Sequence, residues 1–124
     1  LYKYYGNVDD LPLDTVNNYL PNSEKRIVFG PNGRFEDNFV VRDFQLQPGV
    51  VSTPHSHPWS HLVTCIQGTG SFIIEGEVAT MKPRDWMYIP GDVEHYFRNE
   101  CDGIWEFQCI VPPEGDVNPL KQGK

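Results

Sequence analysis

At 124 residues the chain has room for one domain around a single core, and 11 prolines with 11 glycines beside 39% hydrophobic residues point to many short elements joined by turns. The formal net charge of −7, with ten basic residues scattered singly, excludes the basic stripe of a nucleic-acid binder. No apolar run approaches the ~18 residues of a membrane span, and recurring aromatic and aliphatic residues argue against low-complexity disorder.

In chain order, residues 1–26 read as an irregular arm broken by Pro12 and Pro21, with at most a helical turn near residues 13–19. The opening LYKYYGNVDD lacks a basic segment followed by a hydrophobic stretch, so no signal peptide is expected there. From Ile27 the pattern changes to eight β-prone runs: RIVFG, NFVVRDFQLQ, HLVTCIQG, GSFIIEG, EVATM, DWMYIP, HYFRN and IWEFQCIVP. Turn sequences such as GPNG, QPG, GTG, KPRD and PGD punctuate them, and no convincing amphipathic helix intervenes. This spacing predicts an all-β sandwich or barrel over residues 27–113, followed by a poorly ordered tail at 114–124.

Period-two alternation assigns faces. Trp105, Phe107, Cys109 and Val111 form the uncharged face of the last run and are expected inside. In residues 39–47, choosing Val40, Arg42, Phe44 and Leu46 as the inner row puts an arginine in the interior. Arg42 is then either an anchor for a carboxylate or enolate, or a surface partner of Asp43, Asp85 or Asp92. In HLVTCIQ both faces are partly apolar, so this strand is expected to be covered on both sides, as at a subunit contact. A homodimer weakened by deletion of residues 1–20 is the corresponding expectation.

Three of the four histidines, His55, His57 and His61, lie within seven residues, and His95 follows a Pro-Gly turn. His55 and His57 point the same way from an extended strand, and a later strand must bring His95 beside them. Neutral imidazoles at such spacing suit Zn, Cu, Fe, Ni and Mn to differing degrees. Four of them leave a divalent ion its full +2 charge, which favours binding of anionic or enolate oxygen. A closed tetrahedral structural site is the alternative. Arg42, Trp59, Val63, Cys65, Phe97, Trp105, Phe107, Cys109 and Val111 are expected around the ion. Cys109 is either a redox-sensitive thiol or a small buried hydrophobe. No Ser-His-Asp pattern, phosphate loop or paired carboxylates name a catalytic residue. Asp92 and Glu94 are expected to decorate the turn before His95. Three cysteines without CxxC spacing exclude zinc-ribbon and thioredoxin readings and suggest a reduced, cytoplasmic setting.

At these residues the sequence resembles the cupins. Gly49, His55, His57, His61 and Gly68 match the spacing of their first motif, with His61 where many members carry glutamate. Arg84, Pro90, Asp92, His95 and Asn99 match the second, with Arg84 and Asp92 replacing its two glycines. The resemblance covers residues 27–113 and implies a conical, jelly-roll-like β-barrel (a double-stranded β-helix). It also implies one divalent transition metal per chain on His55, His57, His61 and His95. Manganese is first, with iron, zinc, nickel or copper as alternatives. The activity implied is a dioxygenase-like oxidation of an oxygen-rich or carbonyl-containing small molecule. The alternatives are a Lewis-acid isomerase or cyclase of polyketide-cyclase type and a non-catalytic small-molecule-binding or sensing module.

Overall fold

The structure, a computed structural model, describes residues 4–117. Eight strands follow in order: β1 (Ser23–Phe29), β2 (Val40–Leu46), β3 (His61–Gln67), β4 (Gly70–Ile74), β5 (Glu77–Met81), β6 (Trp86–Ile89), β7 (His95–Asn99) and β8 (Trp105–Val111). They make a five-stranded antiparallel sheet, ordered β1-β2-β8-β3-β6, and a three-stranded one, ordered β5-β4-β7. No α-helix occurs among the described residues, and none of their helices is long and apolar enough to cross a membrane. Each of the eight β-prone runs supplies one strand, and the all-β expectation holds. The arm differs in detail: its one helical turn is a short 3-10 turn at Val8–Asp10, where the Asn7 side chain accepts from the Asp9 amide, rather than at 13–19.

The inner rows are those set by alternation. Val40, Arg42, Phe44 and Leu46 of β2 and Trp105, Phe107, Cys109 and Val111 of β8 are all buried. Between the sheets Phe44, Phe72, Phe97, Trp105 and Phe107 form one aromatic cluster, with ring centroids 4.7–6.2 Å apart. Such rings bring large apolar areas together in offset and edge-on contacts, and they make a floor on which the polar end of the barrel rests. Gly70 is needed there, because a Cβ would fall inside the Trp105 ring. On β3 the expectation of cover on both faces meets a one-sided strand within a single chain. His61, Val63 and Cys65 are buried, while Leu62 and Ile66 are nearly half exposed beside exposed Trp86 and Tyr88 of β6.

The tail expected to be poorly ordered begins with structure. Pro113–Gly115 form a 3-10 turn whose Gly115 is buried, and Asp116 is tied into an ion cluster. Residues 118–124 of that tail lie outside the described residues.

On the outward row of β2, Asp43 is nevertheless fully buried, between Arg26 of β1 and Gln108 of β8. Gln108 donates to its Oδ2, but its Oδ1 has no donor and lies beside Glu106. Two carboxyl groups share a site only if one keeps its proton. Burial, with the Glu106 carboxyl beside it, pushes Asp43 up to about 8. The unfolded chain releases this proton near 3.8 and the folded one near 8, so folding stability from this group falls as pH rises between those values. Asp43→Asn, whose amide replaces the shared proton, is expected to melt higher than wild type by a margin that widens from pH 4 to pH 8. A constant margin across that range in thermal denaturation would contradict the shared proton.

Candidate metal centre

The histidine segment is joined to β7 by backbone. His55 and His95 exchange N–H···O=C bonds of 2.9 and 2.8 Å, and Ser52 donates from its amide to the Phe97 carbonyl. The other side is held by a close approach at the β6–β7 turn. The Asp92 amide donates to the His57 carbonyl, and a Cβ at Gly91 would collide with the Pro58 carbonyl oxygen. Pro58 and Trp59 redirect the chain before His61, and the Trp59 indole stacks on His57 at 4.9 Å with planes 4° apart. The turns that deliver these residues keep the left-handed conformation that glycine favours. Arg84 has φ 78° and Asp92 has φ 63°. Aspartate tolerates that region, whereas arginine is strained there by about 1 kcal/mol. Arg84 is exposed, so Arg84→Gly is expected to raise the melting temperature by about 3–5 °C without touching the site. A lower melting temperature would show that its side chain matters.

His57, His61 and His95 bring one ring nitrogen each to within 4.8 Å of one another. His61 and His95 are buried with ring centroids 4.7 Å apart, and His57 stands 5.6 and 5.5 Å from them. His55 stacks on His57 at 5.7 Å and touches Tyr19, outside that group of three. Carbonyl oxygens fix two tautomers. Nδ1 of His95 lies 3.0 Å from the Val93 carbonyl and Nδ1 of His55 faces the Thr53 carbonyl, so each Nδ1 carries the proton and Nε2 keeps its lone pair. Nδ1 of His61 meets Cys109 Sγ at 3.3 Å.

All four imidazoles are held neutral. Desolvation is the first cause throughout, followed for His57 by nearby His95, which brings it down to about 4, and for His61 by Arg42, which brings it to about 2. His55 and His95 are lowered too, by burial first. Neutral imidazole is the form that ligates metal. Nε2 of His61 is buried with no hydrogen-bond partner, an orphan that a metal ion would satisfy. The donor set therefore fits a divalent ion.

Arg42 faces inward. It is 7% exposed, donates through Nη2 to Cys109 Sγ at 3.0 Å, and leaves its Nε unpaired. Its guanidinium lies 5.2 Å from the Phe44 ring centroid. The cavity over the histidines has walls from Arg42, Phe97, Phe107 and Cys109. Five expected neighbours sit elsewhere. Trp105 is wholly buried beneath Phe97 and Phe107 because its ring fills the space over Gly70, and Trp59 backs His57 and packs on Gly115. Val63, Cys65 and Val111 likewise belong to the core rather than to the cavity wall. Asp92 and Glu94 are exposed at the turn. Phe44, Phe72, Tyr19 and Val117 are among the lining residues that were not expected. Phe44 could have been found from the alternation that places Arg42. Tyr19 and Val117 lie in the terminal segments, where no periodic pattern operates.

The cupin domain profile matches residues 42–111. A curated relative, 1-methylthio-D-xylulose 5-phosphate methylsulfurylase of Rhodospirillum rubrum, is 32% identical over 96 residues, covering 77% of this chain. The chain spans 60% of that relative's length. Among solved structures, the polyketide cyclase RemF of Streptomyces resistomycificus superposes with a TM-score of 0.77 at 20% identity, over 87% of this chain and 78% of that one. A cupin-2 domain protein of Rhodospirillum rubrum superposes with a TM-score of 0.70 at 24% identity, over 90% and 75%. These two likenesses concern the fold.

Proposed function

The chain belongs to the cupin family, and we propose that it is a metal-dependent enzyme acting on an anionic, carbonyl-containing small molecule. The observation that carries this reading is the buried, unpartnered Nε2 of His61 in a cluster of neutral imidazoles beside Arg42, whose Nε is also free. His57, His61 and His95 would hold one divalent transition metal, with His55 as the fourth donor and manganese as the first expectation. Bound among neutral donors, such an ion supplies Lewis acidity toward carbonyl or enolate oxygen. Arg42 binds the carboxylate, phosphate or enolate charge of the substrate. Phe44, Phe72, Phe97 and Phe107 exclude water around it, and Trp59 orients His57. The methylsulfurylase relative, named for a phosphorylated methylthio ketose, supports a substrate that carries both an anion and a carbonyl. A dioxygenase-like oxidation is the second reading, favoured by His55 lying in stacking distance of His57, which fits the four-histidine type. Elemental analysis of the purified protein, then turnover of keto-acids and keto-sugar phosphates with and without dioxygen, tests both. Turnover that needs dioxygen selects the second reading. Metal with ligand binding but no turnover would reduce the protein to a binding module, and absence of bound metal would refute the proposal.

A homodimer is proposed with the same standing. Leu62, Ile66, Trp86 and Tyr88 are exposed together on the outer face of β3 and β6, and a second copy related by a two-fold axis would cover that face with itself. Trp86→Glu with Leu62→Glu is expected to leave a monomer in light scattering, and an unchanged molar mass would count against it. A cytoplasmic setting accords with the three free thiols.

A further inference from the structure

The cavity above the histidines holds about 60 Å³ of water-accessible space, room for a handful of waters and not for an organic substrate. What narrows it is the two ends of the described chain. Tyr19 from the arm leans on His55, while Gly115 packs on the Trp59 indole and Val117 reaches the cavity wall. These segments are stapled by a lysine that is 1% exposed. Lys25 Nζ lies 3.0 Å from Asp14 Oδ2 and 2.7 Å from Asp116 Oδ1, and it donates to the Asn17 carbonyl. The Asn17 side chain in turn donates to the Asp116 carbonyl. The same Asp116 Oδ1 lies 3.8 Å from Arg42 Nη1, on the cation expected to receive the substrate's charge.

We propose that residues 113–117 form a strap closed by Asp116, and that Asp116 competes with the anionic substrate for Arg42 so that binding of the anion releases the strap. This rests on the reading of Arg42 as the anion anchor. The charges explain why the strap can open. Two cations, Lys25 and Arg42, face two carboxylates, Asp14 and Asp116, in the closed form. An anion arriving at Arg42 adds a third negative charge, and repulsion falls on the carboxylate with the weaker tether. Asp14 also accepts from the Val16 and Asn17 amides, whereas among the described residues no backbone amide holds the Asp116 side chain. When Asp116 leaves, Lys25 keeps Asp14, so no buried cation is stranded. The turn itself is held by the Gly115 and Asp116 amides donating to the Pro112 and Pro113 carbonyls, at 2.8 and 3.2 Å, and these bonds are inexpensive to break. If the strap is closed about nine-tenths of the time, apparent anion affinity is lowered about tenfold.

The probe is oxalate, a small dianion able to span Arg42 and the histidine centre, titrated calorimetrically into manganese-loaded protein. Asp116→Asn is expected to bind it about tenfold more tightly than wild type, and Asp116→Glu to return toward the wild-type value. Saturating oxalate is expected to speed hydrogen exchange at the Gly115 and Asp116 amides of the wild type, because coupling between strap and anion is reciprocal. This second measurement needs no substitution and survives any folding defect of a variant. Unchanged or weaker binding by Asp116→Asn, or exchange at those amides that slows with oxalate or stays the same, overturns the strap. If Arg42→Met binds oxalate as wild type does, or if neither wild type nor Asp116→Asn binds it, the anchor reading fails and the strap proposal with it. Loss of binding in Arg42→Met with no gain in Asp116→Asn removes the strap alone.

Discussion

His95→Ala is expected to purify with little metal, while His61→Glu purifies loaded but with altered chemistry. His95 does two things at once. Its ring closes the cluster against His57 and His61, and its Nδ1–H bond to the Val93 carbonyl fixes the side chain on the strand that ties the site to the fold. Removing the ring takes away the only donor supplied by β7, and the remaining histidines then come from one segment, residues 55–61. Loss of metal affinity by a factor of 100 or more is the expected scale, above the roughly 10–100-fold of an outer-shell change. His61→Ala leaves His57 and His95 with His55 nearby, so affinity should drop but not vanish. His61→Glu places a carboxylate beside Arg42, which offsets its charge, and it lowers the charge of the loaded site by one. The weaker Lewis acid, and an Arg42 now engaged by Glu at position 61, should cost turnover more than occupancy. Inductively coupled plasma measurements on the three variants decide this, and equal occupancy in wild type, His61→Ala and His95→Ala would show that the metal lies elsewhere.

The strands were legible because hydrophobic alternation and turn residues act locally, and both are written in short windows. β8 illustrates this: all four residues of its expected inner row are buried, although Glu106 of the outer row is buried as well. Arg42 was half legible, since alternation placed it in the inner row while its charge argued for the surface. The conflict resolves through Cys109 and Asp116, which meet the buried guanidinium at the wall of the cavity. The motif spacing around the histidines was legible without glycine at 84 and 92, because what the turns require is positive φ, which Arg84 and Asp92 adopt. The terminal contribution was not. Lys25, Asp14 and Asp116 are far apart in sequence and follow no period, so their convergence depends on tertiary geometry alone. Trp105 was misplaced for a related reason: alternation gives the inward face but not the depth along the barrel.

Removal of metal is expected to make the stability of the folded protein acid-sensitive through its histidines. In the unfolded chain each histidine protonates near 6.5, whereas in the folded chain burial and neighbouring charge hold His57 down to about 4 and His61 lower still. Between those values the unfolded state binds more protons than the folded state, so the stability of the metal-free protein falls as pH drops from about 6.5 toward 4. His55 and His95 shift in the same direction and add to the slope. The Asp43–Glu106 pair works the other way across part of this range, gaining stability as pH falls from 8, so the slope observed is a difference. Asp43→Asn removes that opposing contribution and should expose the histidine slope. A bound divalent ion stabilises the folded state and excludes protons from the same nitrogens until acid displaces it. Thermal denaturation of the Asp43→Asn protein at pH 7.5 and 5 should therefore show a fall on the order of 10 °C without metal and a much smaller one with it. Equal falls in the two forms would mean that the four imidazoles are not the groups the metal binds.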